Sequence, residues 1–263
     1  MSRSGVPGFV GAPGPTAVHR LNPLTKLTLA LVTAVDAVVI GGVAGPLALV
    51  AVAVVAPALA ARILGRLART ALVLSLPLAV SVLLVNVFFF PGGRDVVLSL
   101  GPVQATAQGI GFGVEVLARL LAIAGSVTLF YLTTTPGALV VDLERRGLSP
   151  RISFVALASI ETVPAIVDRA RTITAAQRAR GLDSEGPPWT RARGLIPVVA
   201  PVVLSSLAEV DERTLALEAR GFSRPGRRTL LWAPPDSALE AVARWLLVLS
   251  VPVAVGVRVA LAA

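Results

Sequence analysis

Apolar and polar positions are distributed along this chain in two distinct ways. Five runs, at about residues 24–40, 45–61, 70–90, 107–132 and 239–261, are apolar nearly throughout, as a helix surrounded by hydrocarbon must be. The first two are joined by Gly-Gly-Val-Ala-Gly, which predicts a tight helical hairpin. Each lies near the short end of the about 17–25 residues a spanning helix needs, so thinning or tilt is expected. The third ends in Phe88-Phe89-Phe90, followed by Pro91-Gly92-Gly93. Residues 133–237 differ: apolar positions recur there at three- and four-residue steps among 14 Arg and 11 acids, the pattern of helices with one wet face.

That region predicts three amphipathic helices. Thr135-Pro136 opens a short one, with Pro at the first helical position, and Gly147 and then Pro150 stop it. A second runs over residues 152–180, with Ile152, Val155, Ile160, Val163, Val167, Ala170 and Ile173 along one face. A third covers 195–220, with Val203, Leu207, Val210, Thr214 and Leu217 in step. Each of the two long helices is apolar in its N-terminal half and charged in its C-terminal half, so its far end is expected to project into the cytoplasm. Pro164, Pro197 and Pro201 predict bends.

Composition agrees with a membrane protein: 55% of the 263 residues are hydrophobic, and the mean hydropathy is +0.80. The fold class is therefore all-α, a polytopic bundle of about five transmembrane helices with a cytoplasmic region of three amphipathic helices. Its parts are a Gly/Pro-rich irregular tail (1–18), a four-span bundle (19–132), the charged region (133–237) and a last span (238–263). The tail lacks the apolar run of a signal peptide, and no secretory cleavage is expected.

The net charge of +9 is explained by topology rather than by nucleic acid, which is not an expected partner. His19, Arg20 and Lys26 stand at the first span, and Arg62, Arg66 and Arg69 separate the second from the third. The alternate connections hold only Arg94 and Asp95. Basic residues collect on the cytoplasmic side, so the N-terminus is expected inside and the C-terminus outside, in the plasma membrane of a prokaryote.

One motif repeats. Thr174-x-Ala176-x-x-Ala179-Arg180-Gly181 matches Thr214-x-Ala216-x-x-Ala219-Arg220-Gly221, forty positions later. Gly past the last helical residue supplies the left-handed closing conformation, and Arg in the last turn complements the helix dipole. A single copy needs no other explanation. Two copies, each ending a long helix in one region, point to two guanidinium forks meeting equivalent grooves of a dimeric partner. Arg146-Gly147 lacks the Ala and reads as a structural stop.

Four segments carry a family resemblance: HRLNPLTKL (19–27), TTTPGALVVDLERRGLSPR (133–151), AAQRARGLD (175–183) and ALEARGF (216–222). With them the chain resembles the transmembrane (T) component of energy-coupling-factor (ECF) transporters, the EcfT/CbiQ-like family of vitamin and metal importers of the ABC class. The resemblance implies two cytoplasmic ABC ATPase subunits and a separate small membrane substrate-binding (S) subunit as partners. Ala179, Arg180, Gly181, Ala219, Arg220 and Gly221 would be the ATPase-docking residues, and the cargo a vitamin or cobalt or nickel.

The chain is not expected to be an enzyme. A phosphate-binding loop needs Lys followed by Ser or Thr after a Gly-rich turn, whereas Lys26, the sole lysine, follows Pro23-Leu24-Thr25 and precedes Leu27. Catalytic, cofactor and metal sites are all expected to be absent, since His19 is the one histidine and cysteine does not occur. Glu115 and Arg119, four apart in a span, are expected to pair with each other. Asp36 is expected to reach the interface, and Arg244 and Arg258 to snorkel. A self-contained secondary transporter, the alternative, calls for two similar halves and polar groups at mid-membrane; neither is evident.

Overall fold

The computed structural model describes residues 16–90, 95–100, 103–181, 188–224 and 233–262. The chain forms two compact units, one of Met1–Arg146 with Ala233–Ala263, the other of Gly147–Trp232.

In the first unit a single turn, α1 (Ala17–Arg20), precedes α2 (Pro23–Val39). Asn22 starts α2 by accepting the Leu24 N–H on its side-chain oxygen (2.9 Å), with Pro23 at the first helical position. The second apolar run is helical over Ala44–Ala60, as α3 (Ala44–Leu49), a π-helical stretch (Val50–Val55) and α4 (Ala56–Ala60). α5 (Leu64–Phe89) begins six residues before the expected apolar run and so carries Arg66 and Arg69 in its first two turns. α6 is Ala107–Thr133 and α7 is Pro136–Arg145, with Thr135 ahead of it and Gly147 at φ +115° behind, as its turn residues predict. α10 (Ala238–Ala262) closes the chain.

Between α5 and α6 the sequence reading has only a loop. The structure instead pairs β1 (Val96–Leu100) with β2 (Val103–Thr106) as an antiparallel hairpin, Val96 opposite Thr106 and Leu100 opposite Val103. Val96, Val97, Val103 and Thr106 are β-branched, which is the local reason. Thr106 then accepts the Gly109 N–H on its hydroxyl (3.1 Å) and starts α6.

α6 is the central packing helix, lying against α2, α5 and the π-helical stretch. Its small residues permit this. A β-carbon on Gly109 would fall 2.5 Å from the Asn86 backbone oxygen, and one on Gly125 would fall 3.0 Å from Val54. Val54, Ala58, Leu67 and Leu129 form the buried apolar cluster beside that contact. With no hydrophobic effect between helices in lipid, close approach at small residues supplies the attraction.

The second unit contains α8 (Pro150–Ala179) and α9 (Pro188–Ala219). Both continue through their internal prolines, at Pro164 in α8 and at Pro197 and Pro201 in α9. Pro201 has no N–H for the Pro197 carbonyl four residues back, and Gln177 Nε2 on α8 approaches that carbonyl at 3.5 Å.

Four helices among the described residues are long and apolar enough to cross a membrane: Leu64–Phe89, Ala107–Thr133, Pro150–Ala179 and Ala238–Ala260. The chain is a multi-pass membrane protein. Pro150–Ala179 was expected outside the bilayer; its N-terminal half supplies the apolar window, while Asp168, Arg169, Arg171 and Arg178 follow in the other half.

Candidate functional site

The two Ala-Arg-Gly segments end α8 and α9 alike in two respects: the Arg and Gly N–H groups each donate to a carbonyl three residues back, and the Gly takes a positive φ. At the first, the Arg180 N–H donates to Gln177 O (3.0 Å) and the Gly181 N–H to Arg178 O (2.9 Å), with Gly181 at φ +92°. At the second, the Gly221 N–H donates to Glu218 O (2.9 Å) and the Phe222 N–H to Leu217 O (3.0 Å), with Gly221 at φ +76°. These bonds satisfy carbonyls that a helix end otherwise leaves orphaned. An added β-carbon would meet nothing within 4 Å at Gly181 and only the Arg224 β-carbon, at 3.9 Å, at Gly221. Backbone angle, not space, therefore requires glycine at both.

All six residues, Ala179, Arg180, Gly181, Ala219, Arg220 and Gly221, are exposed. Neither Arg180 nor Arg220 makes an ion pair among the described residues. Other cations of the same helices are engaged. Glu209 on α9 receives Arg169 of α8 at 2.5 Å and Arg213 of its own helix at 2.6 Å. The Arg169 hydrogen bond, aided by Arg213, holds the Glu209 carboxyl below the usual carboxylate range.

Contacts between α8 and α9 show that the helices run antiparallel. Phe154 meets Phe222 edge-on, with ring centroids 5.2 Å apart. Arg169 meets Ser206 and Glu209, and Gln177 meets Pro197. Arg180 therefore lies at one end of the hairpin and Arg220 at the other. Each stands eleven residues past the Arg169–Glu209 contact, so at 1.5 Å per residue the tips are roughly 33 Å apart. The repeat alone does not disclose this; a helix pair entering side by side would have brought the tips together. Beside Arg220 is a shallow recess of ≈ 170 Å³ lined by Phe154, Arg213, Ala216 and Leu217. A lining of Phe154, Ala216 and Leu217 with Arg213 and Arg220 suits a partner segment that combines an acidic and an apolar side chain.

The other residues singled out in the sequence lie in the first unit. Glu115 and Arg119 form the expected i,i+4 pair, and Glu115 also accepts the Gly42 N–H at 2.9 Å, fixing the α2–α3 turn to α6. Asp36 does not reach the interface: it is 4% exposed and accepts the Ser250 hydroxyl at 2.7 Å, because α10 packs over that face of α2. Arg244 reaches back to a residue just ahead of the start of α10. It donates to Asp236 (2.9 Å) and Thr25 (2.8 Å), whereas Arg258 reaches the Val39 carbonyl at 3.2 Å, at the end of α2. Lys26, counted above as a cytoplasmic charge, is 6% exposed and donates to Thr133 O at 2.7 Å and His19 O at 3.2 Å. It neutralises the carbonyl ends of α6 and α1. His19 Nδ1 lies 2.6 Å from the Thr16 hydroxyl, and partial burial, with Lys26 nearby, lowers its pKa.

Comparison with known proteins gives the arrangement a family. The cobalt transport protein family, CbiQ, matches residues 14–230. The energy-coupling factor transporter transmembrane protein EcfT of Bacillus selenitireducens is 31% identical over 252 residues, covering 88% of this chain and 90% of that protein. The protein of the same description from Lactococcus lactis subsp. cremoris is 27% identical over 244 residues, covering 86% and 90%. A shorter match, 33% identical over 168 residues (59% and 62%), is to that of Streptococcus equi subsp. equi. A multi-pass helical bundle with these likenesses along most of its length belongs to the EcfT/CbiQ family, the transmembrane components of energy-coupling-factor transporters.

Proposed function

We propose that the chain is the coupling subunit of an ATP-driven importer. Two cytoplasmic ABC ATPase subunits hydrolyse ATP, a separate small membrane S subunit binds the cargo, and this chain passes motion from the first to the second. Arg180 and Arg220, with the Ala and Gly beside each, are the two ATPase-docking points. The observation that carries this reading is the pair of exposed helix ends, each closed by a positive-φ glycine, at opposite ends of one hairpin.

Charge supports a cytoplasmic location for that hairpin. If Pro150–Ala179 crossed the bilayer, its partner α9 would enter hydrocarbon with Glu209, Asp211, Glu212 and Arg213, at several kcal/mol for such charges. We therefore place residues 133–237 on the cytoplasmic side as the coupling region, with the N-terminus inside and the protein in a prokaryotic plasma membrane. The cargo is a vitamin or the cobalt or nickel ion; the family description names cobalt.

The decisive test is the double variant Arg180→Ala, Arg220→Ala in the assembled complex. The protein should insert and accumulate normally while ATP-dependent uptake is abolished. Retained ATP-driven uptake would remove the docking assignment. Recovery of the chain alone from mild detergent, with ATPase and S subunits co-expressed, would favour a self-contained secondary transporter.

A further inference from the structure

The segment between the two parts of the first unit leaves it after Arg146 and rejoins it at Ala233. Both points belong to one polar cluster inside that unit. Arg146 Nη2 donates to Asp236 Oδ2 at 2.7 Å, joining the last residue before the segment to one shortly after it. Arg145 Nη1 adds a bond to Pro234 O (3.3 Å), and Asn22 Nδ2 one to Pro235 O (3.2 Å).

The Arg146–Asp236 link is held from both sides. Arg146 Nε donates to Asp142 at 3.1 Å; Asp142 is fully buried and also accepts Asn22 Nδ2 at 3.1 Å. The second Asp236 oxygen accepts Arg244 Nη1 (2.9 Å), whose guanidinium also donates to Thr25 Oγ1 (2.8 Å). Thr25 donates to Glu240 Oε2 (3.2 Å), and Glu240 accepts the Asn22 backbone N–H (2.8 Å). The bonds thereby close into a ring at Asn22. Such a network resists deformation where isolated surface ion pairs do not.

Two connections free to move apart would let segment 147–232 shift without moving the transmembrane helices. Tied to each other and to α2, α7 and α10, they transmit displacement as one piece. We propose that Arg146 and Asp236 form a clasp that carries force from segment 147–232 into α2, α7 and α10, making Arg146 a positioning residue for energy coupling and not only a helix stop. This rests on the coupling role proposed above: with the clasp open, ATP is hydrolysed and cargo stays behind.

The test uses the complete complex in liposomes. Labelled Co²⁺, Ni²⁺ and water-soluble vitamins are first offered to the wild type, and the cargo it accumulates is used thereafter. In Arg146→Ala and in Asp236→Asn, cargo moved per ATP should fall roughly tenfold, with ATPase recovery and hydrolysis within about twofold of wild type. The chain has no cysteine, so Arg146→Cys with Asp236→Cys supplies the second arm. A reversible bis-thiosulfonate bridge of matching length across the pair should restore the ratio, and reductant should abolish it again. An unchanged ratio in both single variants overturns the clasp. So does a joint fall of assembly, hydrolysis and uptake that the bridge leaves uncorrected, since that is the mark of a merely structural role. A wild-type complex without ATP-dependent uptake would instead remove the coupling role itself.

Discussion

The two compact units treat polar side chains in opposite ways. In the first, Asn22, Lys26, Asp36, Ser126 and Asp142 are buried and bonded inward; among the buried polar residues described, only Ser153 belongs to the second. There the described charged groups of α8 and α9 are on the surface, and even the Arg169–Glu209 pair is about one-third exposed. Nearly bare apolar flanks occur in both units, but on α5 and α10 they suit lipid, while on α8 Val163 and Val167 share a helix with Asp168, Arg169 and Arg171. Polar groups of the first unit thus serve the fold, and those of the second remain available to partners. Substitutions should separate along the same line.

The largest effect on stability is expected at Asp142. Asp142→Ala removes a buried carboxylate from Arg146 and Asn22 and should cost about 3 kcal/mol, read as a lower unfolding temperature in detergent. A loss below about 0.5 kcal/mol would mean that the first unit does not depend on its inward polar groups. Next is Gly109→Ala, where the new methyl meets the Asn86 backbone oxygen; about 2 kcal/mol is expected. Gly111→Ala, with nothing near its β-carbon, should be neutral or stabilise by up to about 1 kcal/mol, and equal effects at the two positions would refute the close α5–α6 contact.

In the second unit, Gly221→Val forces a branched side chain to positive φ, at about 1–2 kcal/mol. Global stability should hardly change, but the Phe222 amide should lose protection from hydrogen exchange and ATPase affinity should fall roughly tenfold. Gly221→Asn should retain more of both, because Asn tolerates that conformation. The smallest effect concerns Glu209. Its carboxyl pKa is lowered in the folded state, so its contribution is complete above the ordinary glutamate value and disappears as pH falls through the lowered one. Spin-label distances between α8 and α9 should lengthen in that acid window and in high salt, and Glu209→Gln should remove the pH-dependent step.

Much of this was legible in the chain. Apolar runs located α5, α6 and α10 to within a few residues at most ends, and turn residues located α7 and the C-terminal ends of α8 and α9, while α9 starts seven residues before the expected position. The i,i+4 rule paired Glu115 with Arg119. What stayed hidden depends on packing between distant positions. Periodicity states which face of α2 carries Asp36 but not that α10 covers it; likewise Asn22 and Glu240 meet across 218 positions. Arg146 was legible as a helix stop and illegible as a partner of Asp236, ninety residues on. Of the candidate docking residues, their identity and exposure at helix tips could be anticipated, whereas their separation depends on the antiparallel register, which no single helix encodes.

That register has one more consequence. Arg169 and Glu209, the residues that touch where α8 and α9 meet, are themselves forty positions apart, the offset of the repeat. Equivalent positions touch where an approximate two-fold axis passes between two helices, and a half-turn about that axis carries each Ala-Arg-Gly tip onto the other. One chain, with no copy of itself, thereby offers the same chemistry twice in the arrangement that a two-fold symmetric dimer presents. With docking as proposed, the hairpin is an adaptor between symmetries: one unsymmetrical chain meets both halves of a paired ATPase with the same chemistry.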